Sequence, residues 1–154
     1  MVDKCAEIWI FFGSKPIAIS CKLGLQPIQM YFLRKMRDFK QLKIWQKGLE
    51  IAVQTFRFVA TMPKTEQFGL CTQMTRAAVS ITSNIAEGSS RSSVKDYNRF
   101  VEIALGSSYE LETQVLITQA TAMGNPELCI QLLGQIREEQ KMLVGFQKSL
   151  MTGV

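Results

Sequence analysis

The chain has 154 residues, of which 47% are hydrophobic and 20% charged, and its formal net charge is +5. This length suits one ordinary domain, this composition can fill a helical core without implying a membrane protein, and this charge favours a polyanionic partner. The sequence contains no histidine, which excludes the usual general base, the Ser-His and Cys-His nucleophile pairs and every zinc site that uses imidazole, so we expect no enzyme, cofactor or metal.

Residues 1–35 differ from the rest of the chain. They contain five basic and two acidic residues and so carry +3 of the net charge, which leaves only +2 on the other 119 residues. Their apolar run, 8–12, is far shorter than the ~20 residues that span a bilayer, and glycines and prolines interrupt any helical or strand period. We interpret 1–35 as a disordered extension or as upstream sequence read from a misassigned start, with Met36 as the initiator. The folded domain is then 36–154.

The first of four helical segments starts near Asp38 and Gln41, which have the spacing of a capping box, and ends at Pro63. Apolar residues recur along it at three- and four-residue steps, which is typical of an amphipathic helix. The residues predicted to face the core are Leu42, Trp45, Leu49, Ala52, Phe56 and Val59.

The second and third helices carry comparable signals. Thr65 is predicted to cap the second helix, and Gly88 to follow its last residue. Ser93 and Asp96 have capping-box spacing for the third helix, and Gly124 ends it. The core residues of the second helix are predicted as Leu70, Met74, Ala77, Ile81 and Ile85. Those of the third helix are predicted as Tyr97, Phe100, Ala104, Ser108, Leu111, Val115 and Ala122.

Asn125, Pro126 and Glu127 open the fourth helix as N-cap, first-turn proline and first-turn acid. Its apolar stripe is predicted as Leu132 or Leu133, Ile136, Leu143 and Leu150. The three connections are only two to six residues long, and connections this short place successive helices side by side in opposite directions. The sequence therefore predicts an all-α fold, an antiparallel up-down-up-down four-helix bundle.

Further apolar residues lie off the predicted stripes of the first and third helices. They are Ile44, Ile51 and Phe58 on the first helix, and Val94, Val101 and Leu105 on the third. One core cannot easily absorb two faces of a helix, so contacts with other subunits and an unusually wide stripe are both open. We expect a homo-oligomer.

A polar face on the second helix is a candidate oligomer interface. Its residues, spaced at i, i+4, i+7 and i+11, are Arg76, Ser80, Ser83 and Glu87. The small serines would let another helix approach closely, with the two charged residues as polar anchors. A solvated face is the alternative.

Two groups of basic residues are candidate nucleic-acid contacts. They are Arg91, Lys95 and Arg99 around the start of the third helix, and Lys40, Lys43 and Lys47 at the first helix. A symmetric ring would repeat each group in every subunit, and binding to phosphates strengthens with the number of contacts. The competing hypothesis is a protein-protein adaptor or scaffold that does not contact nucleic acid.

The cysteines indicate a reducing compartment. None of Cys5, Cys21, Cys71 and Cys129 is close enough to another to form a CxxC pair. Cys71 and Cys129 lie near the apolar stripes, where a buried reduced thiol behaves as a small hydrophobe. We expect a cytoplasmic protein.

Several motifs make the sequence recognisable. In chain order they are Pro63-Lys64-Thr65-Glu66-Gln67-Phe68-Gly69-Leu70, Arg76-Ala77-Ala78-Val79-Ser80-Ile81, Asn84-Ile85-Ala86-Glu87-Gly88 and Gly106-Ser107-Ser108-Tyr109-Glu110-Leu111-Glu112-Thr113-Gln114. Over about 39–150 the chain resembles the bacterial four-helix-bundle family encoded by intervening sequences of 23S ribosomal RNA genes. The resemblance implies a homopentamer without known enzymatic activity. The chain is also similar to accessory proteins of diversity-generating retroelements, which implies RNA or DNA and a reverse transcriptase or another protein as partners.

The residues of these motifs can also be explained without chemistry. Asn84 is expected to hydrogen-bond the exposed end of its helix or the following loop. Gly106 lies in the middle of a long helix, where glycine costs ~1 kcal/mol relative to alanine, so close packing is expected to compensate. A ligand site is the alternative for these positions.

Overall fold

The computed structural model describes residues 8–12, 15–19 and 38–152. Ile8–Phe12 (β1) and Lys15–Ile19 (β2) pair as antiparallel strands, with Ile8 opposite Ile19 and Phe12 opposite Lys15. Contrary to expectation, this part of the chain does sustain short strands, because isoleucine, tryptophan and phenylalanine favour them. The interpretation of 1–35 as an extension or a misassigned start stays a prediction.

Residues 38–152 are all-helical and belong to a unit separate from the hairpin. Their four α-helices are Lys43–Val59 (α1), Leu70–Ser89 (α2), Val94–Ala120 (α3) and Pro126–Thr152 (α4). Short 3₁₀ helices at Phe39–Gln41 and Lys64–Glu66 precede α1 and α2. Each helix packs against two others, because α1 and α3 both contact α2 and α4. The predicted four-helix, all-α domain is confirmed, and its packing is that of a bundle.

Two helix starts lie where the sequence predicted them. The Ser93 hydroxyl accepts a hydrogen bond from the Asp96 amide at 3.0 Å and caps α3. The Asn125 side-chain oxygen accepts from the amides of Glu127 and Leu128 at 2.9 and 3.0 Å. Both caps satisfy amides that the first helical turn leaves without a partner.

Helix α1 starts later than predicted, because a short 3₁₀ helix precedes it. Asp38 accepts from the Lys40 amide at 3.1 Å, and the Gln41 side chain donates to the Asp38 carboxylate at 3.4 Å. These bonds cap the 3₁₀ helix, and α1 begins only after Leu42, whose backbone is extended. The capping signal was therefore correct in kind but belonged to a single preceding turn.

The predicted cap of α2 was also wrong. Thr65 lies inside the Lys64–Glu66 turn, and Gly69, with φ −100° and ψ −111°, immediately precedes α2. That non-helical backbone separates the turn from the helix, so Thr65 cannot reach the first amides of α2.

Gly88 does not follow the end of α2, because the helix continues to Ser89. A Cβ atom at Gly88 would lie 2.8 Å from Cδ2 of Tyr97 and 2.9 Å from Cβ of Phe100. The glycine is therefore required for the close approach of α2 and α3 rather than for a left-handed turn.

Gly124 ends the connection after α3 rather than the helix itself. α3 stops at Ala120, and Ala122 is exposed with φ +52°, so its predicted core position was wrong. Gly124 has φ +75°, which favours glycine, and a Cβ there would lie 2.9 Å from the Phe58 ring.

The predicted core face of α1 is only partly correct. Ala52 is buried, and Leu42, Trp45 and Val59 pack against the core. Ile51 and Phe58 are fully buried, whereas Leu49 and Phe56 are 44% and 53% exposed. Gly48 explains the choice, because a Cβ there would lie 3.0 Å from the Thr82 side chain of α2. The face containing Gly48 lies against α2 and carries the neighbouring isoleucines inward.

The other predicted stripes largely reach the core. Their buried members are Met74, Ala77, Ile81 and Ile85 in α2, Tyr97, Ala104, Ser108, Leu111 and Val115 in α3, and Leu132, Leu133, Ile136 and Leu143 in α4. Leu70 and Leu150 are partly buried and pack at the edge of the core. Val101, placed on a second face, is fully buried, whereas Val94 is exposed. For Val101 the wide-stripe alternative is the correct one.

Candidate nucleic-acid and assembly surfaces

The basic row at the start of α3 consists of Arg91, Lys95 and Arg99, all of them exposed. Arg91 is held in place, because its guanidinium donates to Glu87 and its central carbon lies 4.6 Å from the centroid of the Phe100 ring. Lys95 and Arg99 form no ion pair with any residue of the described chain. These two cations are therefore available to an external anion.

Two carboxylates accompany the basic row. Asp96 accepts a hydrogen bond from the Ser93 hydroxyl at 2.6 Å, and Glu102 accepts one from the Asn98 amide group at 2.8 Å. Both are exposed and neither pairs with a base of the row. They lower the local positive potential without occupying Lys95 or Arg99.

The second basic group is only partly available to a ligand. Lys47 Nζ lies 2.5 Å from the Glu138 carboxylate of α4 and 3.8 Å from Glu50, and its side chain is only 18% exposed. The hydrogen bond to Glu138 raises the pKa of Lys47. Lys40 and Lys43 are exposed. Among the described residues, Lys40 and Lys43 have no ion-pair partner, whereas Lys47 is committed to a contact with α4.

The four residues of the predicted oligomer interface do not share one environment. Ser80 is half-buried, with its hydroxyl 2.8 Å from that of Ser107 on α3, so it joins α2 to α3. Arg76, Ser83 and Glu87 are exposed, and Glu87 is the partner of Arg91. The predicted interface and the basic row therefore meet at one ion pair.

An apolar surface lies beside Arg76 and includes Leu49 and Phe56, which were predicted to face the core. Leu49, Val53 and Phe56 follow at i, i+4 and i+7 on α1, each 44–53% exposed. Val79 of α2 is 43% exposed and lines the same surface cavity, of about 480 Å³, as Phe56 and Arg76. We call Leu49, Val53, Phe56 and Val79 the α1–α2 patch. The helical spacing of its α1 residues could be seen in the sequence, but the sequence did not show that this face is exposed to solvent.

The chain matches the family of 23S rRNA-intervening sequence proteins over residues 40–145. It belongs to this family. A crystal structure of a protein of unknown function from the S23 ribosomal protein family of Bacteroides thetaiotaomicron is similar, with 25% identity and a TM-score of 0.62. The match covers 68% of this chain and 98% of that one. No curated protein matches the sequence. The resemblance read from the motifs is confirmed.

The motifs that identify a 23S rRNA-intervening sequence protein here have structural roles that differ from expectation. The Asn84 side chain donates to the Ser80 carbonyl at 2.7 Å and to the Ser80 hydroxyl at 3.0 Å, within α2 and not at its end. Gly106 is exposed, and a Cβ there would meet no atom within 4 Å. Packing within the described chain therefore does not account for this glycine.

The buried thiols of this family member agree with prediction. Cys71 and Cys129 are buried and free, and burial raises the pKa of the Cys71 thiol. Among the residues described, no group of three or more histidine, cysteine, aspartate or glutamate side chains could hold a metal ion. No helix in the same residues is long and apolar enough to cross a bilayer.

Proposed function

We propose that this chain is a non-enzymatic, cytoplasmic bundle protein that assembles as a homo-oligomeric ring and binds RNA through the basic row. The observation that carries the proposal is the pair Lys95 and Arg99, exposed and without an ion-pair partner in the described residues. The proposed arrangement of the helices is up-down-up-down. Two contacts support it, because Gly48 near the start of α1 approaches Ile85 near the end of α2, and Gly88 approaches Tyr97 at the start of α3.

Two separate apolar surfaces support assembly as a ring. One is the α1–α2 patch. The other is the outward face of α3, which exposes the large apolar side chains of Ile103, Tyr109, Leu116 and Ile117. A head-to-tail ring needs two different surfaces on each subunit, whereas a two-fold dimer needs only one. The exposed Gly106 lies on that face of α3 and would admit a neighbouring helix. A pentamer, the number implied by the family resemblance, is part of this proposal.

Repetition in a ring would make a small basic row effective. Each phosphate contact releases counterions and steepens the salt dependence of binding, so several copies of Lys95 and Arg99 add up. Arg91, fixed between Glu87 and Phe100, gives the row one ordered end. RNA is preferred to DNA only through the family resemblance.

The double variant Lys95→Gln/Arg99→Gln should bind structured RNA more weakly than the wild-type chain. The logarithm of the binding constant should also fall less steeply with the logarithm of salt concentration, by roughly 0.7–0.9 for each phosphate that the variant no longer neutralises. Titrations at several salt concentrations measure both quantities. Lys141→Gln removes a charge from an exposed position of α4 and serves as control. No binding by the intact oligomer at low salt, or equally weakened binding by Lys141→Gln, would reject the proposal.

Val53→Arg should dissociate the oligomer. Val53 is 44% exposed, so the monomer can fold with arginine there, but a charge in the centre of an apolar interface is costly. Mass in solution, from light scattering or sedimentation, should fall to that of the monomer. Gln131→Arg adds the same side chain at an exposed site on α4 and should keep the wild-type mass. A monomeric wild-type chain would reject the ring outright.

The alternative is an adaptor or scaffold that docks a protein such as a reverse transcriptase and does not contact nucleic acid. The observation that favours it is Phe68, which is 90% exposed in the connection before α2. Binding through apolar contacts should change little with ionic strength, whereas binding to phosphates should weaken steeply. The same salt titration therefore separates the two functions.

A further inference from the structure

Glu139 of α4 is a carboxyl group buried in the bundle core. Its relative exposure is 0%, and neither carboxyl oxygen has a hydrogen-bond partner among the residues described. An ionised carboxylate in such a place is unfavourable unless a cation or several donors compensate its charge. Its neighbours at i−3 and i+4, Ile136 and Leu143, are fully buried. The position is thus an apolar core position of α4 occupied by an acid.

The nearest cation is already engaged. Lys47 of α1 attracts Glu139, but its ammonium group lies 2.5 Å from Glu138 and 3.8 Å from Glu50. The carboxylate of Glu138 itself opposes ionisation of Glu139. No donor in the described part of the bundle is therefore reserved for the buried carboxylate.

The other two helices add no cation to the charges that act on Glu139, which are those of Lys47 and Glu138. On α3, Glu112 accepts from Arg137 and Gln140, both at 2.8 Å, which uses the nearby guanidinium of α4. The described charges of α2 are Glu87 and Arg76, and both are exposed on the surface. Burial therefore dominates and raises the pKa of Glu139 to about 8.

One turn further along, an open surface groove of about 290 Å³ lies between α1 and α4, lined mainly by apolar residues that include Ile44, Met142 and Phe146. Gly145 at this groove is exposed, and a Cβ there would meet no atom within 4 Å. We call the Lys47–Glu138 pair, Glu139 and this groove the α1–α4 seam. Solvent therefore reaches the seam beside Glu139, whereas α2 and α3 approach each other closely at Gly88.

We propose that Glu139 is a proton-linked switch that opens the α1–α4 seam. With a proton on its carboxyl group, Glu139 stays in the core and Lys47 stays bound to Glu138. When the proton passes to solvent, the carboxylate leaves the core for water. This movement separates α1 from α4 locally, whereas α2 and α3 keep their contact. The switch is independent of the proposed function in RNA binding.

The test combines a carboxyl titration by ¹³C NMR with amide hydrogen exchange on the full chain. The Glu139 carboxyl resonance should titrate near pH 8. Protection factors of amides in α1 and α4 should fall about a hundredfold between pH 6 and pH 8 and then level off, because the open state releases the proton. Amides of α2 should not follow this profile.

Glu139→Gln should abolish the pH dependence of the protection factors, and Glu127→Gln, a change at an exposed carboxylate in the first turn of α4, should retain it. A Glu139 midpoint near 4.5 would overturn the proposal, as would a pH profile that survives in Glu139→Gln. Equal changes in α2 and α4 would indicate global unfolding and would also overturn the switch. If Glu139→Gln fails to fold, the wild-type titration still decides.

Discussion

Replacement of Glu139 with leucine should stabilise the protein strongly at pH 9 and little at pH 4. Burial raises the pKa of Glu139 from 4.5 to about 8, so the native state holds one more proton than the unfolded state between these values. Stability therefore falls as pH rises through this range, by up to about 5 kcal/mol at about 1.4 kcal/mol per pKa unit. Leucine has a similar volume, fits an apolar core and removes this pH-dependent cost.

Urea denaturation of both proteins at pH 4, 6, 7, 8 and 9 measures the effect. The difference in free energy of unfolding should grow through pH 6 and 7 and level off above pH 8. Glu127→Leu, at an exposed carboxylate in the first turn of α4, is the control and should show no such growth. A constant difference between Glu139→Leu and wild type at pH 4 and pH 9 would contradict the raised pKa.

Buried Glu139 is expected to lower the free energy of unfolding strongly at high pH. We therefore attribute to it a functional rather than a structural role. In some proteins a polar residue that weakens the core specifies an assembly state or a switch. The contact that would respond to Glu139 lies on the side of α1 facing α4, whereas the α1–α2 patch lies on its outer side.

Local features were predictable because they depend on neighbouring residues. Ser93 with Asp96, and Asn125 with Glu127, satisfy amides only two or three residues away. The family resemblance and the four helices followed from the same kind of information. The capping signal at Asp38 misled because a one-turn 3₁₀ helix uses the same signal as an α-helix.

The periodicity of α1 does not show which of its two apolar faces enters the core. Two apolar stripes compete on this helix, and the partner helix selects between them at Gly48, which lies against Thr82 of α2. A glycine within one of two equivalent stripes was the available signal. Two residues of the chosen stripe, Leu49 and Phe56, were wrongly placed in the core, and the α1–α2 patch was therefore missed.

The basic residues of the candidate site could be predicted from the sequence, but not all of their ion pairs could. Exposure of Lys95 and Arg99 follows from a helix whose opposite face is apolar. Arg91 and Glu87 are four residues apart, so their ion pair could have been anticipated. Lys47 binds Glu138, a residue far along the chain, and that pairing depends on how α1 and α4 meet.

Gly88→Ala should destabilise the protein by about 2 kcal/mol, although alanine is the better helix former. Alanine favours a helix over glycine by ~1 kcal/mol, but overpacking a core typically costs 1–3 kcal/mol and sometimes more. At Gly88 the new Cβ would lie 2.8 Å from the ring of buried Tyr97 and 2.9 Å from Cβ of Phe100. The Phe100 atom is next to the backbone and cannot rotate away, so α2 and α3 must separate and the strain outweighs the helix propensity.

Gly134→Ala is the matched control for this substitution. Gly134 is an exposed helical glycine of α4, and a Cβ there would meet no atom within 4 Å. The same change should therefore raise the free energy of unfolding by up to ~1 kcal/mol. Urea denaturation of both variants at pH 6 separates the effect of packing from that of helix propensity. Only the close approach of α2 and α3 predicts that the two substitutions change the free energy of unfolding in opposite directions. Equal or greater stability of Gly88→Ala would mean that Gly88 is not required by that approach.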